Sequence, residues 1–127
     1  AFNGLVLQGD GMGNFRPLSI IESGIYIPGN GKSLVQLVAN NKIILAAARN
    51  AGPLNLFQSK PAESKIRKVN PDDRYAIISL KNGKKRKEEF NYGSSFYSQS
   101  GRCIQLNNAV QSIEITNSKG QKRIITQ

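Results

Sequence analysis

The side chains able to do chemistry are few and unevenly placed. The chain of 127 residues has no histidine and one cysteine, Cys103. Without imidazole there is no Ser-His-Asp triad, no Cys-His pair and no His-ligated metal site. One cysteine makes neither an internal disulfide nor a structural zinc site. It reads as a small buried residue on a strand. Two carboxylate pairs occur, Asp72-Asp73 and Glu88-Glu89. Neighbours on a strand face opposite ways, so Glu88 and Glu89 do not converge on one bond. Asp72-Asp73 follows Pro71 and reads as turn capping. A hydrolase would need opposed carboxylates in a cleft, and no nucleophile, base and orienter accompany them here. The expectation is a non-catalytic protein with no cofactor and no metal.

Two glycine-rich stretches approach phosphate loops and fall short. Gly29-Asn30-Gly31-Lys32-Ser33 ends as a P-loop does, but the glycine required five residues before the Gly-Lys pair is Tyr26. A joining turn is the better reading. Gly9, Gly11 and Gly13 lack the dinucleotide spacing, and no long helix follows to supply a dipole.

The sharpest charge feature is Lys84-Lys85-Arg86-Lys87, with Lys81 just before it. The formal net charge is +10. Residues 1–58 carry four cations (Arg16, Lys32, Lys42, Arg49) against two acids (Asp10, Glu22), so +8 of that charge lies in 59–127. One reading is a solvated strand pair whose lysines guard an exposed edge. The other is a site for nucleic acid or another polyanion, with Tyr92, Phe96 and Tyr97 as stacking surfaces. Alternation puts Lys85 and Lys87 on one face and Lys84 and Arg86 on the other.

These residues must be held by strands. Residues 2–8 and Phe15–Ile21 read as strands around a turn at Gly9–Asn14, with Pro17 marking the second as an edge. Gly24–Ile27 is a brief third piece and Pro28–Gly31 a loop. Ser33–Val38 and Lys42–Ala48, joined by Asn40-Asn41, read as a hairpin. A helix is the rival over 33–48 because of Ala46-Ala47-Ala48, but the valines, isoleucines and paired asparagines favour strands. Leu54–Phe57 follows the Gly52-Pro53 break. Ser59–Val69 reads as a linker, with one helical turn started by Pro61. Asn70–Asp73 is a turn, Tyr75–Leu80 a strand, and Asn82-Gly83 a type I′ hairpin turn leading to Lys84–Asn91. In Phe90–Leu106 the aromatics Phe90, Tyr92, Phe96 and Tyr97 precede a Ser-Gln-Ser-Gly crossing and a strand at Arg102–Leu106. Val110–Thr116 alternates, with Val110, Ser112 and Glu114 on one side and Gln111, Ile113 and Ile115 on the other. Lys122–Thr126 is the last strand.

Tyr92-Gly93-Ser94-Ser95-Phe96-Tyr97-Ser98-Gln99-Ser100 resembles the core of the ASPIC/UnbV domain. Lys81–Phe90 resembles the hairpin before that core, and Ile113-Glu114-Ile115 with Asn117-Ser118-Lys119-Gly120 resembles its closing strand and turn. The chain departs from that pattern at Leu106-Asn107-Asn108 and at Thr116-Asn117. Gly9-Asp10-Gly11, Gly13-Asn14-Phe15, Ala48-Arg49-Asn50 and Gly52-Pro53-Leu54 with Leu56-Phe57 resemble the last blade of an FG-GAP or VCBS-type β-propeller. The loop at Val38–Lys42 lacks the carboxylates a calcium ion would need. The two resemblances imply an all-β chain: a blade-like antiparallel sheet over 1–58, a linker over 59–69, and a small β-sandwich or partly open barrel over 70–127. They imply the tail of a larger extracytoplasmic protein, secreted, periplasmic or at an outer-membrane surface, acting in recognition, adhesion or assembly with a protein or glycan partner. Ala1 is no initiator methionine, no signal peptide pattern is visible, and no apolar run has membrane-spanning length. The chain therefore reads as a processed product or a piece of a longer protein. The expected binding residues are Lys81, Lys84, Lys85, Arg86, Lys87, Tyr92, Phe96 and Tyr97.

Overall fold

Short alternating segments punctuated by glycine, asparagine and proline give strands joined by tight turns. The computed structural model describes residues 3–58, 65–93 and 99–126. Its elements are almost all strands, in antiparallel sheets, so the chain is all-β. The helical turn expected at Pro61 lies outside the described residues, as do Phe96 and Tyr97.

The first hairpin pairs β1 (Val6–Gly9) with β2 (Phe15–Leu18). The Asp10 carboxylate organises its turn, accepting from the Met12 N–H at 2.7 Å and the Asn14 side-chain amide at 2.7 Å. The second strand was expected to run to Ile21 and stops at Leu18. Ser19 and Glu22 form a capping box: Ser19 Oγ accepts from the Glu22 N–H, and Glu22 Oε2 accepts from the Ser19 N–H at 2.8 Å. That nucleates one helical turn, α1 (Ile20–Ser23), closed by Gly24 at a φ of 68°. The Ser19 N–H and the Arg16 guanidinium hold the Glu22 carboxyl down to about 2. Gly24–Ile27 forms no strand.

β3 (Gly31–Ala39), β4 (Lys42–Arg49) and β5 (Asn55–Gln58) form a meander. The rival helix does not form. Asn40 and Asn41 take φ of 50° and 57°, the left-handed pair that a type I′ turn needs. The first five strands thus make two sheets where one blade was expected.

The segment expected as a linker contains β6 (Lys65–Lys68), which pairs with β9 (Cys103–Leu106). β7 (Asp73–Leu80), β8 (Lys85–Glu89), β10 (Val110–Asn117) and β11 (Lys122–Thr126) form a sheet in the order β11-β10-β7-β8. At the β7–β8 turn only Gly83 has positive φ, at 82°. Gly83 N–H donates to Leu80 O and Leu80 N–H to Lys84 O. Lys81, Asn82 and Gly83 are therefore a three-residue loop with a glycine bulge, in place of the type I′ turn expected there.

The core lies between this sheet and β9. Ala76, Ile78, Ile113 and Ile115 face Ile104 and Leu106, with Phe90 and Val110 closing the ends. Each fully buried isoleucine contributes about 1.5–3 kcal/mol. Val110 was expected beside Ser112 and Glu114. A register shift between Val110 and Ser112 turns it into the core instead. A second shift, with Arg74 as the extra residue, lets Asp73 reach the core face. There its buried carboxylate accepts from Arg123 Nη1 and Nη2, each at 2.5 Å, and from the Asn70 N–H at 2.7 Å. Thr116 Oγ1 is buried and, among the described residues, has no hydrogen-bond partner.

The Arg123 guanidinium holds the Asp73 carboxyl below the usual carboxylate range. Its stabilisation is present above the unfolded value of about 3.9 and is lost as pH falls through the lower folded value. Asp73→Asn is expected to cost about 2–4 kcal/mol in urea unfolding at pH 7. The difference from the parent chain should shrink steadily below about pH 4.

Candidate functional site

The basic hairpin lies on β7 and β8, and strand register decides where each cation points. Tyr75 pairs with Glu89, Ile77 with Lys87 and Ser79 with Lys85, so these six share the outer face. Arg86 pairs with Ile78 and Glu88 with Ala76, on the side of the core. Lys85 and Lys87 are thus together, as alternation expects, and Arg86 points away. β10 and β11 extend the outer face with Glu114, Lys122 and Ile124.

Local carboxylates offset part of the charge. Lys87 Nζ lies 2.6 Å from Glu89 Oε1 and 4.7 Å from the centre of the Tyr75 ring. The Glu89 contact raises the Lys87 pKa and lowers that of Glu89. Lys122 Nζ lies 2.9 Å from Glu114 Oε1. Arg86 lies 3.7 Å from Glu88. Lys81, Lys84 and Lys85 are exposed and have no carboxylate within ion-pair distance among the described residues.

Tyr92 stands apart from this strip. Arg102 stacks on its ring at 4.1 Å, and the Tyr92 hydroxyl accepts from Arg102 Nη1 at 2.6 Å while donating to Pro71 O at 3.0 Å. Arg102 also donates to the carbonyls of Phe90, Asn70, Pro71 and Asp73. Its fork is filled by backbone, a geometry lysine cannot reproduce. Sequence reasoning missed Arg102, because its partners lie up to 32 residues away. Phe90 belongs to the core.

The four acids of the two pairs go to separate places. Asp73 is committed to Arg123, and Asp72 accepts from the Asn117 amide at 3.3 Å. Glu88 and Glu89 take opposite faces. Among the described residues no three possible metal ligands gather. Cys103 is buried, accepts a long 3.6 Å contact from the Gln36 amide, and has its thiol pushed up by burial. The Gly29–Ser33 stretch borders an open depression of about 700 Å³ with Ile27, Leu34 and Ala47. Gly31 already starts β3, so Lys32 and Ser33 lie on a strand, and the element that follows the loop is no helix.

The larger exposed feature is apolar. Among the described residues, eleven of the thirteen exposed large hydrophobic side chains fall between Leu5 and Leu56. In the three-stranded sheet, register puts Val35, Leu37, Ile44 and Leu56 on one face and Leu34, Val38, Ile43, Leu45 and Phe57 on the other. Both faces are apolar, the pattern of a sheet covered on both sides, yet Leu37 and Leu56 are 42% and 61% exposed. No helix among the described residues is long and apolar enough to cross a membrane. No protein-family model matches this chain, and no curated protein or solved structure matches it.

Burial raises the Glu88 carboxyl above its ordinary value, and Arg86 only partly opposes this. The folded chain therefore gives up this proton at a higher pH than the unfolded chain does. The cost of the charged form is present above the folded pKa and is relieved as pH falls through it. Glu88→Gln should raise the thermal midpoint by about 1–3 °C at pH 7 and leave it unchanged near pH 4.

Proposed function

We propose that this chain is a non-catalytic recognition module whose partner is a protein, held on the apolar surface of the β3-β4-β5 sheet. The observation that carries this is the two-faced apolar sheet with Leu37 and Leu56 left open. Covering such a surface removes apolar area from water, which is favourable. Of the protein and glycan partners expected from sequence, an aliphatic face fits the protein. An extracytoplasmic setting, as the tail of a larger surface or secreted protein, rests on the ASPIC/UnbV-like and FG-GAP-like motifs alone.

A second reading has its own observation. Lys81, Lys84 and Lys85 carry uncompensated charge at one end of the β7–β8 hairpin, next to the Lys87–Tyr75 pair. That arrangement fits weak binding of nucleic acid or another acidic polymer. Tyr92 is occupied by Arg102 and sits outside this strip.

An apolar fluorescent dye tests the first reading. Emission should rise on mixing with the dilute full chain, and Leu37→Lys should remove about half of the rise with circular dichroism unchanged. No rise would discard the reading. Salt dependence tests the second. Duplex DNA or heparin should bind with a log–log salt slope of about −3, from three free lysines, and Lys85→Glu should reduce its size by about one. Binding that ignores salt would rule this site out.

A further inference from the structure

The sheets end in edges of very different character. β8 carries Lys85, Arg86 and Lys87, β11 carries Lys122 and Arg123, and β6 carries Lys65, Arg67 and Lys68. β2 holds Arg16 and Pro17. The edge of β3 is covered at its centre, where Gln36 N–H donates to Ser100 Oγ and Gln36 O accepts from the Gly101 N–H at 2.6 Å. Charge, proline and cover are the usual means of keeping an edge from pairing with another chain. β5 has none of them. Among the described residues it bonds only to β4, and nothing there pairs with its outward backbone groups. From Asn50 to Gln58 there is no charged residue, and Pro53 lies before the strand, outside it. Leu54 and Leu56, beside that edge, are 60% and 61% exposed.

We infer that the β5 edge pairs with the β5 edge of a second copy of this chain, about a two-fold axis normal to the sheet. This goes beyond the recognition reading: the second copy joins at the edge and leaves the apolar face open to the partner proposed above. Charge points to the edge. Two copies at +10 each repel, and least so where the chain carries no charge. Geometry points to the copy. A two-fold axis normal to a sheet makes its edge strands antiparallel, so each strand's free N–H and C=O groups meet those of the other. The same axis keeps both copies' Val35, Leu37, Ile44 and Leu56 on one side, giving one continuous apolar face across the doubled sheet. A four-residue edge gives less than the roughly 1,000 Å² of a stable interface, so the dimer is weak and concentration-dependent. β1 and β9 are the other uncharged edges among the described residues, but each sits on a two-stranded sheet; β1 ends at Gly9, and β9 is largely buried.

Sedimentation equilibrium of the full chain between about 10 μM and 1 mM tests the pairing, a range suited to a weak contact. The weight-average mass should climb toward twice that of the chain. Leu56→Lys should abolish the climb, and Leu7→Lys on β1 should not. Hydrogen exchange on the parent chain needs no variant: the amides of β5 that point away from β4 should exchange about tenfold more slowly at the highest concentration. A dimer abolished by Leu7→Lys, or one that leaves those amides unprotected, would overturn the inference. A monomer at every concentration that still binds the apolar dye would overturn the pairing and leave the recognition reading in place. A monomer that binds no dye would overturn both.

Discussion

The turn Asn70–Asp73 is gripped by two arginines that arrive from different layers. Arg123 comes from the edge strand of the four-stranded sheet and takes the buried Asp73 carboxylate. Arg102 precedes β9 and takes the carbonyls of Asn70, Pro71 and Asp73, together with that of Phe90. A buried carboxylate without its cation is costly, so this pair specifies how β7, β10 and β11 align. The bulge at Arg74 exists in register with it, since regular alternation would leave Asp73 on the outer face. The β6–β9 pair is thereby anchored to the sheet by polar contacts at the same end where Phe90 closes the core.

That anchoring explains an uneven molecule. The apolar core cluster belongs to residues 76–115, and in residues 3–58 only Ala46 and Ala47 are buried hydrophobics. Among the described residues, contacts of the three-stranded sheet with residues 65–126 include polar ones: Gln36 with Ser100, Gly101 and Cys103, and Asn41 Oδ1 with the Ile66 N–H. Contacts of this kind orient a sheet without removing much apolar surface from water. Sequence that would suit a doubly covered sheet is left partly wet, and this imbalance is the physical basis of the recognition role proposed above.

Charge follows a different logic. The basic run dominates the sequence, but Arg86 and Lys87 have carboxylates two residues away on the same faces. Spacing by two on a strand brings such pairs together. The field outside the sheet is accordingly weaker than a count of lysines suggests, and it is concentrated toward the hairpin end at Lys81, Lys84 and Lys85. Exposed pairs of this sort contribute little to stability. Their main consequence is for what the surface attracts.

The strands at 33–48, 75–80 and 122–126 were legible because their information is local. Branched side chains prefer the pleat, and asparagine or glycine accepts the turn, within a span of a few residues. The separation of Lys85 and Lys87 from Arg86 was legible for the same reason. The one-turn helix at Ile20–Ser23 is also written locally, in Ser19 and Glu22, but the neighbouring strand pattern masks it. Other features required the fold. β6 inside the expected linker, the inward turn of Val110, the role of Arg102 and the Asp73–Arg123 pair each depend on a partner tens of residues away; Asp73 and Arg123 are 50 apart. Such choices turn on which burial and pairing the whole chain can satisfy at once, and no short window of sequence contains that comparison. By itself the sequence determined an all-β chain, its turn sites and its charge bias. Tertiary structure alone decided which acids meet which cations and which apolar faces stay open, because both depend on distances that exist only after the sheets have packed.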